Sequence, residues 1–248
     1  PITGEGRHAA ESSGQRSSGD DDEIVAYAVS RAHHADVGGT APGSMPAGAR
    51  EIQQEGLRIP PVRLVADGAV QSDVLDLLLA NVRNPAERRA DVQAQLGANE
   101  RGARRIGELL ADHGDRLLGA FDAVVDYSRQ RMVSEIEGLP DGEYAASTTV
   151  EGDGVTDDDV SIEVTVTVDG GALTVDFAGT AQQVPGNVNA PIAVAESAVY
   201  YVVRCITDST IPPNQGCYDP ITVDAPLGSL LNPEPPAAVV GGNVETSQ

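Results

Sequence analysis

No lysine occurs anywhere in the 248 residues, so all 16 basic residues other than histidine are arginine. This absence excludes a phosphate-binding loop ending in Gly-Lys-Ser/Thr, which needs an ammonium group on the phosphates, and Schiff-base catalysis, which needs a side-chain amine. Positive charge of any kind is scarce: 16 basic against 38 acidic residues leave a net charge of −22. Such a surface repels phosphate backbones and anionic membranes, so nucleic acid and membrane surfaces are excluded as partners. The acidic excess, the missing lysine, an aromatic content of only 3% and many Ala, Gly and Val fit a protein adapted to a high-salt cytoplasm, where screening removes self-repulsion. A disordered acidic chain would gather its charge in blocks. Here only residues 20–23 and 157–159 are true acidic runs.

Long apolar runs are missing as well. No stretch approaches the roughly 18 residues needed to span a membrane, and the N-terminus lacks a charged, apolar and small-residue succession of the secretory kind, so a cytoplasmic location is expected. Cys205 and Cys217 are the only cysteines, too few for a disulfide framework. Both are expected to be reduced and structural, Cys205 as a poor thiolate candidate inside an apolar helix. A Gly-x-Ser-x-Gly nucleophile elbow is also absent.

What is present reads as an α+β fold. Residues 1–23 carry Gly, Ser, Arg and Asp without an apolar period and are expected to be flexible or foreign to the fold. The remainder, 24–248, divides into 24–141, a strand, a candidate active-site loop and about three helices, and 142–248, a β-hairpin-containing region with a further helix and Pro/Gly-rich loops. The strand is Ile24-Val25-Ala26-Tyr27-Ala28-Val29. The helices are expected from Ser72 as N-cap, from Asn84 as cap with Pro85 in first position, and over residues 115–137. Val160, Ile162, Val164, Val166 and Val168 then alternate with polar residues as a half-buried strand does, Asp169-Gly170-Gly171 turns it, and residues 173–177 return. A helix over 191–207 and a short strand over 221–223 follow. Helices and strands are segregated rather than alternating, which sets the class.

Chemistry is concentrated where the first strand ends. His33, His34 and Asp36 stand within four residues, just before Gly38-Gly39. Neutral imidazole and carboxylate suit a divalent Mn, Fe or Zn ion. Successive residues of an extended chain point to opposite faces, so at most His33 and one other could share an ion, with further ligands from elsewhere. The alternative is that one histidine packs, the other is solvated, and Asp36 caps the loop. Glu55 and Arg58 could hold a polar substrate or form a plain surface ion pair. Asn187 and Asn189, within Pro185-Gly186-Asn187-Val188-Asn189-Ala190-Pro191, could fix an amide or carboxylate ligand or simply form turns.

Taken together, several of these segments resemble the hydantoinase B family, which includes 5-oxoprolinase and acetone carboxylase alpha subunits. The segments are His33-His34-Ala35-Asp36-Val37-Gly38-Gly39, Pro42-Gly43-Ser44-Met45-Pro46, Glu55-Gly56-Leu57-Arg58-Ile59-Pro60-Pro61, Asn81-Val82-Arg83-Asn84-Pro85, Gly186-Asn187-Val188-Asn189-Ala190-Pro191, Ile211-Pro212-Pro213-Asn214-Gln215-Gly216-Cys217 and Gly242-Asn243-Val244-Glu245-Thr246-Ser247-Gln248. They cover about residues 24 to 248 in the family's order.

The resemblance implies a B-type component of a hetero-oligomer whose A-type partner binds ATP and phosphorylates a cyclic amide, 5-oxoproline of glutathione metabolism or a hydantoin, before the B-type component completes hydrolysis. It implies Asp36 and His34 as catalytic residues, Glu55, Arg58, Asn187 and Asn189 as substrate-binding residues, and His33 as a candidate metal ligand, the place at which acetone carboxylases carry a histidine. The family's upstream His-x-x-Asp motif is not matched, since His8 has no aspartate three positions later. The chain is therefore expected to be a middle portion truncated at both ends. Two other readings stay open, a noncatalytic piece that binds the A-type subunit and a metal-dependent acetone carboxylase-type subunit.

Overall fold

The computed structural model describes residues 2–3 and 24–246. The expectation for residues 1–23 therefore lies outside the described residues, apart from Ile2–Thr3. In chain order the elements are β1 (Ile2–Thr3), β2 (Ile24–Ala26), β3 (Val65–Ala66), β4 (Ala69–Val70), α1 (Ser72–Ala80), α2 (Pro85–His113) and α3 (Arg116–Ile136). Then come β5 (Gly142–Val150), β6 (Val160–Asp169), β7 (Ala172–Asp176), α4 (Ile192–Ile206) and β8 (Ile221–Asp224). The α+β class holds. No helix among the described residues is long and apolar enough to cross a membrane.

Two compact units divide the chain, Pro1–Gly38 with Leu57–Phe121, and Gly39–Gly56 with Asp122–Gln248. In the first, β1 pairs antiparallel with β2, and β3 with β4. The strand expected through Val29 stops at Ala26, and Tyr27 and Val29 stand exposed beyond it. The β3–β4 hairpin went unforeseen although its signal is plain: Asp67 and Gly68 both take positive φ, as a two-residue antiparallel turn requires. Helix α1 has Gln71 rather than Ser72 as its N-cap; Ser72 is already helical, and its hydroxyl turns to Asp73 Oδ1 at 3.4 Å. Helix α2 begins at Pro85 after Asn84, as expected, and runs to His113, with Gly114 as its C-cap at a φ of 56°.

The second unit holds the apolar core. Its sheet runs β5-β6-β7-β8, with β5, β6 and β7 antiparallel and β8 parallel to β7. Val168 of β6, Leu173 and Val175 of β7 and Ile221 of β8 bury one face against Met132 and Ile136 of α3 and Val203 of α4. Burying one such side chain stabilises the fold by about 1.5–3 kcal/mol, so this face is the main store of cohesion. Strand β5 was not expected, because eight of its nine residues are exposed and neither face shows an apolar alternation. It forms because nine consecutive register pairs with β6 satisfy its backbone. Cys205 is exposed rather than buried, whereas Cys217 is buried. Helix α4 carries apolar residues on its outer face as well as its inner one, so composition alone does not select the buried side. Ala195 and Val203 turn inward while Tyr201, Val202, Cys205 and Ile206 face out.

Three glycines set how closely backbones meet in this unit. A Cβ on Gly216 would strike the carbonyl of Val125 in α3, one on Gly186 the carbonyl of Asp153, and one on Gly242 the carbonyl of Asn189. Each lies in a segment that carries the family resemblance, and each owes its identity to contact rather than to chemistry.

Candidate active-site loops

The loop after β2 is held from α1 and α2. Asp36 is buried, and its Oδ1 accepts from Gly38 N at 3.0 Å, a side-chain turn closed onto its own loop. Arg83, at the exit of α1, donates through Nη1 to Asp36 Oδ2 at 2.9 Å and to the Gly38 carbonyl at 3.2 Å. Val37 O accepts from Leu57 N at 2.8 Å, which fastens the other edge of the loop. Gly38 has a φ of 95°, and a Cβ there would meet Asn81 O at 2.6 Å, so this position requires glycine twice over.

His33 and His34 part company, as an extended chain demands. His33 is exposed. His34 is half-buried, with Nδ1 2.7 Å from Arg88 Nη1 and Nε2 3.0 Å from Gln95 Oε1. Arg88 is buried within α2 and pairs with Asp91 at 2.8 Å and Glu87 at 3.4 Å. Arg58 is exposed in the same unit.

Glu55, Asn187 and Asn189 fall in the second unit, and there they organise backbone. Glu55 is buried, not a surface ion-pair residue: Oε1 accepts from Val239 N and Val240 N, both at 2.9 Å. Burial pushes its carboxyl above the ordinary range, partly opposed by the Val240 and Val239 amides. Asn187 Nδ2 donates to Pro46 O at 2.9 Å. Asn189, fully buried, donates to the carbonyls of Gly186 and Ala238, both at 2.9 Å, and accepts from Val184 N at 2.8 Å. Asp153, which sequence reasoning missed, completes the arrangement by accepting from Thr156 N at 2.6 Å, Val155 N at 2.8 Å and Gly186 N at 2.9 Å. Burial alone would raise its carboxyl, but these amides and the Thr156 hydroxyl outweigh that and hold it below the ordinary range. Its sequence signal was Gly152-Asp153-Gly154, a carboxylate between two glycines that both take positive φ.

The candidate residues thus form two groups, one in each unit. Arg83, Arg88 and Gln95 were overlooked in the first. Arg83 was in view within Asn81-Val82-Arg83-Asn84-Pro85 without a role, and Arg88 gives no signal, since an arginine near a helix start is ordinarily a solvated one.

A divalent ion does not fit the first group. Asp36 carries a guanidinium at 2.9 Å, which opposes a second cation, and both ring nitrogens of His34 already have partners. Among the described residues no three His, Cys, Asp or Glu side chains come together as a metal site.

The sequence pattern described as Hydantoinase B/oxoprolinase matches residues 8–248. The chain is 36% identical over 252 aligned residues to 5-oxoprolinase 1 of Arabidopsis thaliana, covering 92% of this chain and 20% of that protein. It is 37% identical over 232 residues to the putative B-type subunit of a D-/L-hydantoinase of Pseudomonas sp. (strain NS671), covering 88% and 39%. Its fold superposes on the crystal structure of the ATP-dependent caprolactamase from Pseudomonas jessenii with a TM-score of 0.77 and 32% identity, over 87% of this chain and 38% of that one. The chain therefore spans between a fifth and two-fifths of the length of these relatives.

Proposed function

The chain belongs to the hydantoinase B/oxoprolinase family, and from that premise we propose that it supplies hydrolytic residues to an ATP-dependent enzyme that opens the ring of 5-oxoproline or a hydantoin. The observation that carries this reading is the family match over residues 8–248, joined to the identity with a 5-oxoprolinase and a putative hydantoinase component. Without lysine the chain has no phosphate-loop cation, so ATP binding and phosphorylation of the ring carbonyl are assigned to an A-type partner subunit in a hetero-oligomer.

Once the carbonyl oxygen is phosphorylated, one water adds at carbon, and the ring C–N bond breaks as nitrogen gains a proton, leaving an acyl phosphate. A second water then releases phosphate and the carboxylate. These steps need a group that accepts and returns a proton. In this reading His33 is that group, and Asp36 and His34 hold the backbone that presents it. Arg58 offers a cation to the carboxylate of 5-oxoproline. Glu55, Asn187 and Asn189 order the loops of their own unit.

The test is co-expression with an A-type subunit, purification in high salt, and measurement of ATP-dependent ring opening of 5-oxoproline and of hydantoin. Activity should require ATP and both chains, and His33→Ala should lower kcat by about 100-fold or more. Undiminished turnover by His33→Ala would remove His33 from the mechanism. One observation favours a noncatalytic assembly role instead, the commitment of Asp36 and His34 to arginine partners. That role predicts a stable complex that opens no ring.

A further inference from the structure

Arg88 combines two properties that rarely coincide in a solvated helix: its side chain is 3% exposed, and it donates to a histidine ring nitrogen rather than to carboxylates alone. A guanidinium has no acceptor and stays charged, so at 2.7 Å from His34 Nδ1 it must be the donor, and Nδ1 must carry the lone pair. The ring proton then resides on Nε2, where it meets Gln95 Oε1 at 3.0 Å. Asp91 Oδ2, 2.8 Å from the same Arg88 nitrogen, keeps the guanidinium in place, and Glu87 flanks it at 3.4 Å. Arg88 Nε has no partner among the described residues, so the terminal nitrogens alone orient this group.

We infer that Arg88 is a positioning residue which locks His34 as the neutral Nε2–H tautomer and makes it a tie between the loop and α2, leaving His33 as the outward-facing imidazole of the pair. The assignment of proton transfer to His33 rests on the proposed active-site role of this loop. The tautomer and the tie do not, because they follow from donor and acceptor chemistry in the folded chain. The arrangement explains why two adjacent histidines are not interchangeable: one is fixed from both ring nitrogens, while the other is exposed.

Long-range proton–nitrogen correlation spectra of the chain labelled with ¹⁵N-histidine read the tautomer directly, with His34→Gln identifying the signals. The expected wild-type result is a protonated Nε2 and an unprotonated Nδ1 at His34. Arg88→Leu should replace this pattern with the averaged signals of two exchanging tautomers. Arg88→Lys, which keeps a donor, should restore it, and Gln95→Leu should leave it in place because Arg88 still faces Nδ1. A protonated Nδ1 in the wild type, or an unchanged tautomer in folded Arg88→Leu, would overturn the inference. Should Arg88→Leu fail to fold, the wild-type tautomer and Gln95→Leu decide. None of these spectra depends on turnover, so loss of the ring-opening reading and loss of this one are distinguishable.

Discussion

Arg83 reaches Asp36 with one guanidinium nitrogen, Nη1, at 2.9 Å from Oδ2, and the same nitrogen lies 3.2 Å from the carbonyl oxygen of Gly38. One side chain thereby grips both the acid at the centre of the loop and the glycine at its end. Asp36 is the buried partner, with 8% side-chain exposure against 38% for Arg83.

The asymmetry sets the first prediction. Arg83→Ala leaves a buried carboxylate without its cation, and should cost about 1–3 kcal/mol once partial exposure of the arginine is discounted. Asp36→Asn retains an acceptor for Gly38 N but loses the charge and the oxygen that faces Arg83; because Arg83 is 38% exposed and can turn to solvent, this substitution should cost less. Urea unfolding of both variants in high salt checks the order, and a larger loss for Asp36→Asn would contradict it.

Gly216→Ala is expected to destabilise on the order of 3 kcal/mol, since its methyl would enter the space of the Val125 carbonyl, backbone that cannot rotate aside. Gly97→Ala is the matched control, because nothing lies within 4 Å of a Cβ there and α2 gains helix propensity. Thermal melts of the pair should move in opposite directions.

Legibility in the sequence followed the range of the forces involved. Strand β6 could be read because Val160 through Val168 alternate with polar neighbours along one short stretch, and the Asp169-Gly170-Gly171 turn lies next to it. Strand β5 could not, since its support is the ladder with β6 rather than anything in its own side chains. The loop chemistry divided in the same way. Asp36 as a loop cap is a contact over two residues and was one of the open readings, whereas Arg83 lies 47 residues away and Arg88 lies 54 from His34. Glu55 resembled a surface residue because its amide donors, Val239 and Val240, are 184 and 185 residues distant.

The two thiols give a further test of the fold. Cys205 is exposed on α4 and Cys217 is buried in the core of the second unit. A chromogenic disulfide reagent should titrate one thiol in the native chain and two after denaturation, and Cys205→Ser should abolish the native reaction alone. Two native equivalents would mean that the Cys217 region is open.

Glu55 and Asp153 should respond to acid with opposite signs, although both are buried carboxylates that accept backbone amides. For Glu55 burial dominates, and its folded carboxyl sits above the ordinary value of 4.5. In the window above 4.5 and below that raised value the folded state binds more protons than the unfolded state, so stability contributed at this position increases as pH falls. For Asp153 the amides of Thr156, Val155 and Gly186 and the Thr156 hydroxyl win over burial, and the folded carboxyl sits below 3.8. Its contribution is complete above 3.8 and is lost as pH falls through the depressed value. The whole chain carries a net charge of −22, which gives it a strong acid response of its own, so each effect must be read as a difference from a non-titrating variant. At neutral pH Asp153→Asn should cost about 1–3 kcal/mol, because an amide offers one acceptor where three backbone donors and a hydroxyl now converge. That gap should close below 3.8, whereas the wild type should gain on Glu55→Gln as pH falls toward 4.5. Urea midpoints for the three proteins across this range provide the measurement, and parallel pH profiles for the two differences would refute the assignment of burial to one site and amide donation to the other.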